Sequence, residues 1–138
     1  MQRTLLMIAA VLECLAGVAL ILMPGITLSV LLGVEAHDDG LMIGRIAGTA
    51  LLSLGIACWW AGADAAGIAR AGTLNAITLY NAAAGVLLVV FAATGKAGGT
   101  VTALVGILHL GLAAAFTTSR WQSARTDDTG SDAQNPRA

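Results

Sequence analysis

Charged residues are scarce in this chain, at 11% of 138 residues, whereas soluble domains carry roughly 25%. A globule in water needs more charge than this to solvate its surface, so the composition excludes an ordinary soluble domain. Aromatic residues are also few, at 4%, and a net charge of −1 offers no basic surface for nucleic acid. Hydrophobic residues make up 57% of the chain, which indicates that its outer surface faces lipid.

Recognisable catalytic and metal-binding motifs are missing as well. There is no nucleophile–base pair at a known spacing and no His-x-x-x-His or Cys-x-x-Cys ligand set, so an enzyme is not favoured. His37, Asp38 and Asp39 form a weak ligand set that reads better as a solvated loop. Cys14 and Cys58 are predicted at depths about 10 Å apart, which is too far for a disulfide.

Four apolar stretches, each about 20 residues long, can cross the ~30 Å hydrocarbon core as helices. The first is expected to be a retained anchor, because no small-x-small site for signal cleavage closes it. The sequence therefore predicts an all-α, four-helix transmembrane bundle over residues 1–119. A disordered cytoplasmic tail is expected over 120–138. The predicted spans are 4–23, 41–61, 71–93 and 98–117.

A shorter apolar segment, residues 26–34, separates the first two spans. It is too short to cross the bilayer, and Pro24 precedes it at a position that suits the start of a helix. A polar run over 35–39 ends it. The segment predicts a short interfacial or re-entrant helix on the outer side of the membrane.

The distribution of basic residues predicts the orientation of the chain. Four arginines lie at the amino terminus, in the loop between the second and third spans, and after the fourth span, whereas the other side carries only Lys96. Under the positive-inside rule both termini then lie in the cytoplasm, as in a multi-pass protein of the cell inner membrane. Three tryptophans fall at the same boundary, where indoles anchor. These residues are Arg3, Arg70, Arg120 and Arg125, with Trp59, Trp60 and Trp121.

Several polar residues are predicted to lie within the hydrocarbon. Glu13, Asn81 and His109 fall near the middle of the first, third and fourth spans, with Tyr80 beside Asn81, and Arg45 lies about 9 Å further outward. A lone charge at the bilayer centre costs roughly 2.5–3.5 kcal/mol on insertion scales, so Glu13 must be protonated or paired. Small residues share the face of each polar residue, which predicts that the cluster points into the bundle.

This polar cluster has two interpretations. In the functional one it forms an intramembrane binding pocket, with Glu13 and His109 as titratable groups, Arg45 as their charge partner, and Asn81 with Tyr80 as hydrogen-bond donors. In the structural one the same side chains only lock helices together through interhelical hydrogen bonds. The sequence leaves both open.

One segment of the first span resembles a segment of the third. Glu13-Cys-Leu-Ala-Gly-Val-Ala-Leu-Ile-Leu matches Asn81-Ala-Ala-Ala-Gly-Val-Leu-Leu-Val-Val, and both helices run in the same direction. Two parallel hairpin repeats about an axis along the membrane normal would produce this match. Chance similarity between segments rich in Ala, Val, Leu and Gly is the alternative.

The order of these features resembles the DoxX-like group of small four-helix bacterial membrane proteins. The resemblance rests on a first helix, Pro24 with its short apolar segment, Arg45-x-x-Gly48, and the run Leu52-Ser-Leu-Gly-Ile-Ala. The stretch GRIAGTALLSLGIACWW, with Leu-Tyr-Asn at 79–81 and His109, is similar to uncharacterised proteobacterial proteins of this size. The resemblance to DoxX-like proteins covers residues 4–120 and implies the four-helix fold. It also implies a membrane subunit linked to quinone-coupled oxidation, although this chain carries no redox-centre motif.

The leading functional prediction is a small accessory membrane subunit whose polar pocket binds a lipophilic molecule, such as a quinone or a lipid, or handles a proton. Its expected partners are the bilayer and other membrane subunits or further copies of itself, with no nucleic acid. One alternative is a purely structural or assembly subunit of a larger membrane complex. A second is a small oligomeric transporter, which needs self-association because four helices leave little room for a path.

Overall fold

The computed structural model describes residues 1–64, 67–95 and 99–134, with backbone alone over 124–134. Every regular element in these ranges is a helix. Four of the helices are long and apolar enough to cross a membrane, and a short helix follows the first, which confirms the predicted fold class. The helices are α1 (Gln2–Leu22), α2 (Pro24–Leu32), α3 (Asp38–Ala63), α4 (Ile68–Ala93) and α5 (Gly99–Gln134).

The last helix differs from the sequence prediction. A disordered tail was expected over 120–138 because the apolar pattern stops there, yet α5 remains helical to Gln134. An existing helix needs no apolar face to continue, because each added residue only extends a turn that is already formed. The end of the hydrocarbon span is therefore not the end of the helix. Residues 135–138 lie outside the described part of the chain.

Local backbone geometry separates α2 from its neighbours. Met23, at φ −133° and ψ 58°, interrupts the chain after α1, and Pro24 opens α2 at a position where no amide hydrogen is needed. Gly33 ends α2 in the left-handed region, at φ 64°, which glycine adopts without steric cost. The short helix packs on α1, α3 and α5. Its carboxyl end is tied to α5 by the Thr102 hydroxyl, which donates to the Leu31 carbonyl at 2.6 Å.

The long helices form two closely packed pairs, α1 with α3 and α4 with α5. In the first pair, a Cβ on Gly17 would lie 2.7 Å from the Gly48 carbonyl oxygen. In the second, a Cβ on Gly85 would lie 2.9 Å from the Gly106 carbonyl oxygen. Such contact between backbones requires glycine, and in lipid it supplies the van der Waals attraction that replaces the hydrophobic drive.

Within each pair, the two helices touch at equivalent positions of the similar segments of the first and third spans. Gly17 follows Glu13 by four residues, and Gly85 follows Asn81 by four, so the glycine contact lies one helical turn beyond the polar residue in both pairs. The structure thus adds a shared packing geometry to the similarity between the first and third spans. This is the arrangement expected of two hairpin repeats.

A tightly packed core occupies the end of the bundle that holds the chain's amino terminus. Leu6, Cys58, Leu74, Ile77 and Phe116 are buried there against one another. Large apolar side chains elsewhere point outward along the spans and include Leu15, Leu79 and Leu87. An outward apolar surface of this extent suits lipid as the surrounding solvent.

Replacing Gly17 with alanine is expected to lower the free energy of unfolding by about 1–3 kcal/mol, because the added carbon meets backbone atoms that cannot move aside. Gly111→Ala on α5 is the matched control, since a Cβ there meets nothing within 4 Å. Denaturant unfolding in detergent micelles, followed by circular dichroism, measures both. Equal stability of the two variants would contradict the proposed close contact.

Candidate functional site

A cavity of about 510 Å³ lies inside the bundle, and all five helices contribute to its wall. Most of the wall is aliphatic. Polar side chains enter it from α1, α4 and α5, as Glu13, Tyr80 and His109. The remaining lining residues are apolar: Leu12, Ala16, Leu20, Leu28, Leu31, Leu32, Ala47, Leu51, Ala84, Leu88, Val105, Leu108 and Leu112.

Glu13 belongs to the buried face of α1. Its neighbours on that face, Ala9, Ala10 and Gly17, are small, so α3 approaches closely and the carboxyl is held inside the bundle at 4% exposure. The Tyr80 hydroxyl, from α4, lies near enough to interact with this carboxyl. This contact gives the buried acid one partner, which reduces the cost of placing it at hydrocarbon depth.

Asn81 and His109 form a second polar pair, between α4 and α5. The Asn81 side chain is fully buried, and its amide nitrogen donates to the Ile77 carbonyl at 2.8 Å. That bond turns the amide oxygen toward α5, where it lies 2.8 Å from Nδ1 of His109. An amide oxygen only accepts hydrogen bonds, so Nδ1 of His109 is the donor.

With Nδ1 bonded to Asn81, Nε2 is the second ring nitrogen of His109, and its role depends on where the ring proton lies. In a neutral imidazole with its proton on Nδ1, Nε2 carries a lone pair and accepts. In the described part of the chain no buried side-chain nitrogen or oxygen lacks a hydrogen-bond partner, and the one His109 bond involves Nδ1. Nε2 is therefore the ring nitrogen left for a ligand of the cavity that His109 lines.

Tyr80 connects the two polar pairs. Its ring meets the His109 ring edge to face, with the centroids 5.7 Å apart and the planes at 86°. The hydroxyl of the same residue partners Glu13. Glu13, Tyr80, His109 and Asn81 thus form one continuous group. The structure brings together four of the five residues that the sequence predicted for a pocket.

Arg45, the fifth predicted residue, is not part of this group. Its side chain is exposed on α3 and does not line the cavity. The cavity face of α3 carries Ala47 and Leu51, which are four residues apart. At about 100° per residue, Arg45 and Ala47 point about 160° apart, on nearly opposite faces of α3. The sequence argument grouped Arg45 with Gly48, but the face of Gly48 is occupied by α1.

The leucines of α2 are wall residues that the sequence reasoning missed. Leu28, Leu31 and Leu32 all line the cavity. Their spacing of three and four residues places them on one helical face, which is the signal that could have found them. The predicted interfacial helix therefore covers the cavity as well as connecting two spans.

A metal site is not indicated by the geometry. Across residues 1–64, 67–95 and 99–134, no group of three or more His, Cys, Asp or Glu side chains is gathered closely enough to hold an ion. His37 and Asp39 lie exposed near the start of α3, and Asp38 and Asp39 form its first turn. Carboxylates in that position favour the helix dipole.

No protein-family model, no curated protein and no solved structure matches this chain. The resemblance to DoxX-like proteins accordingly stays a prediction from the sequence.

Asn81→Ala is expected to shift the His109 proton from Nδ1 toward Nε2, because the acceptor that holds it at Nδ1 is removed. Nitrogen-15 chemical shifts of the His109 ring distinguish the two tautomers. Asn75→Ala is the matched control, because this asparagine lies on the same helix and is exposed, with its amide oxygen bound to Arg120. A ring that keeps its Nδ1 proton in the Asn81 variant would contradict the assignment.

Proposed function

We propose that this protein binds a lipophilic small molecule inside the membrane, with the polar group of that molecule held by Glu13, Tyr80 and His109. The observation that carries the proposal is the composition of the cavity wall, which is aliphatic except where these three side chains enter. Its volume of about 510 Å³ falls within the range of roughly 300–1,000 Å³ that is usual for small-molecule pockets.

The polar group favours a ligand that can donate a hydrogen bond. Nε2 of His109 offers a lone pair, so a hydroxyl or an N–H satisfies it, whereas a carbonyl does not. A carbonyl would need the Tyr80 hydroxyl or a protonated Glu13 as its donor. Among the ligands considered from the sequence, a quinol or a lipid with a free hydroxyl matches His109 directly. An oxidised quinone matches only through the other two residues.

We propose further that the protein acts as an accessory subunit of the cell inner membrane, with both termini in the cytoplasm. The orientation is supported by Arg3, Arg70 and Arg120, which all lie near one end of the four spans. Trp59, Trp60 and Trp121 are exposed near that end and suit the headgroup level. Lys96 and the side chain of Arg125, which the sequence argument also used, lie outside the described residues.

Filling the cavity is expected to displace its ligand. Ala84→Leu adds a branched side chain to the wall, and Ala83→Leu adds the same side chain one residue away on the exposed face of α4. We expect the protein extracted in mild detergent to carry a lipophilic molecule. That molecule should be retained in Ala83→Leu and largely lost in Ala84→Leu, as measured by native mass spectrometry.

The outcomes of this experiment separate the binding function from its rivals. A wild-type protein that carries no lipophile, or two variants that retain it equally, would leave the polar residues with the structural role only. Loss of a protein partner in place of a small molecule would favour the assembly subunit. A folded Ala84→Leu variant, shown by an unchanged circular dichroism spectrum, is required for the comparison.

The hydrogen-bond preference is tested with a pair of matched probes. In dodecyl methyl ether a methyl group replaces the hydroxyl hydrogen of dodecanol. Only the alcohol can therefore donate a hydrogen bond to Nε2 of His109. We expect the alcohol to bind about ten-fold more tightly, the equivalent of about one hydrogen bond, and His109→Phe to abolish the difference. Binding is measured by native mass spectrometry from lipid nanodiscs. Equal binding of alcohol and ether to the wild-type protein would contradict the role given to His109.

A further inference from the structure

A second pocket lies where the spans end, beside the amino terminus of α1. It is an open groove of about 250 Å³, and it is separate from the cavity because the two share no lining residue. Leu74, which is buried, forms an apolar part of its wall, and the rest is polar or small. The groove is lined by Gln2, Gly67, Arg70, Ala71, Leu74 and Arg120.

Two arginines from different helices, Arg70 and Arg120, line this groove. Arg70, in the first turn of α4, donates Nε–H to the Ala61 carbonyl at 3.3 Å, and one of its terminal nitrogens donates to the Asp64 carbonyl. Arg120, on α5, donates to the amide oxygen of Asn75. These bonds orient both groups. Because each arginine has five N–H donors, most of them remain for a ligand.

The third polar side chain of the groove is also held by the chain itself. Gln2 donates from its amide nitrogen to the Ser119 carbonyl at 3.4 Å and to the Ser123 hydroxyl at 3.0 Å. These bonds fix the start of α1 against α5. None of the described lining residues is acidic. Asp64 precedes the groove residue Gly67 by three positions, and its carboxylate accepts the Ala69 amide hydrogen at 3.0 Å. The described lining residues of the groove therefore include two positively charged side chains and no carboxylate.

The depth of the groove matches that of lipid headgroups. α1 begins at Gln2, α4 begins at Ile68, and the apolar pattern of α5 stops just before Arg120. The lining residues lie within a few positions of these ends, at the boundary between hydrocarbon and water. A phosphate at this level would reach both guanidinium groups, and the apolar Leu74 lies toward the membrane interior.

We infer that this groove binds the phosphate group of an anionic molecule through Arg70 and Arg120. The planar guanidinium presents paired N–H donors that match phosphate oxygens, and two of them neutralise more charge than one. Basic pockets between transmembrane helices bind anionic lipid headgroups on this principle. The same chemistry accepts a phospholipid headgroup or a free phosphate, and the experiment separates these two sources.

The test uses the full chain in nanodiscs of phosphatidylcholine with a minor share of phosphatidylglycerol. Phosphatidylglycerol retained after extraction is counted by native mass spectrometry. We expect Arg70→Gln and Arg120→Gln each to reduce retention about five-fold, as expected for one arginine near a charged surface. Arg3→Gln is the matched control, since Arg3 is exposed beside Gln2 but does not line the groove.

Two further arms complete the experiment. Arg120→Lys keeps the positive charge but loses the paired N–H donors of the guanidinium, so we expect intermediate retention of phosphatidylglycerol. This variant also breaks fewer contacts within the chain than Arg70→Gln. Phosphorus-31 titration of the detergent-solubilised protein with inorganic phosphate shows whether a free anion binds at the same arginines. Retention that falls equally in Arg3→Gln, or no binding of either phosphate source, would overturn the inference.

Discussion

Polar groups within a hydrocarbon span have no water to bind, and this constraint organises the centre of the bundle. Asn81 satisfies its amide nitrogen on its own helix, which leaves its oxygen as the acceptor for His109. The Glu13 carboxyl interacts with the Tyr80 hydroxyl of α4. The Tyr80 ring meets the His109 ring edge to face, which joins the two polar pairs. Nε2 of His109 is left as an acceptor beside the cavity that this residue lines.

Glycine contacts make this arrangement possible. At Gly17 and Gly48, and again at Gly85 and Gly106, the backbones of paired helices approach too closely for any side chain. Each contact lies near one of the polar residues, so the paired helices are held together at the depth of the cluster. The cavity opens between the two pairs, with α2 covering part of it. Tight packing within each pair therefore depends on these glycines, and the cavity lies between the pairs.

The two pockets divide the molecule by chemistry. The inner cavity is aliphatic around one small polar group, which suits a lipophilic molecule with a single polar end. The groove at the end of the spans is basic and open, which suits a phosphate at headgroup level. Buried Leu6, Ile77 and Phe116 lie in the packed core of the bundle. The bundle thus has two chemically different pockets, one between the helix pairs and one at the end of the spans.

The sequence by itself determined the number of spans, the short helix after Pro24, and the common depth of Glu13, Asn81 and His109, because span length and position along a helix are local properties. It could not decide which way Arg45 points, since the helical face that meets a neighbour depends on where that neighbour packs. The predicted fourth span ends at residue 117, and α5 continues beyond it to Gln134. The tautomer of His109, the leucine cover from α2 and the meeting of Arg70 with Arg120 were decided only by tertiary structure. Each of them joins residues from helices that are far apart in the chain.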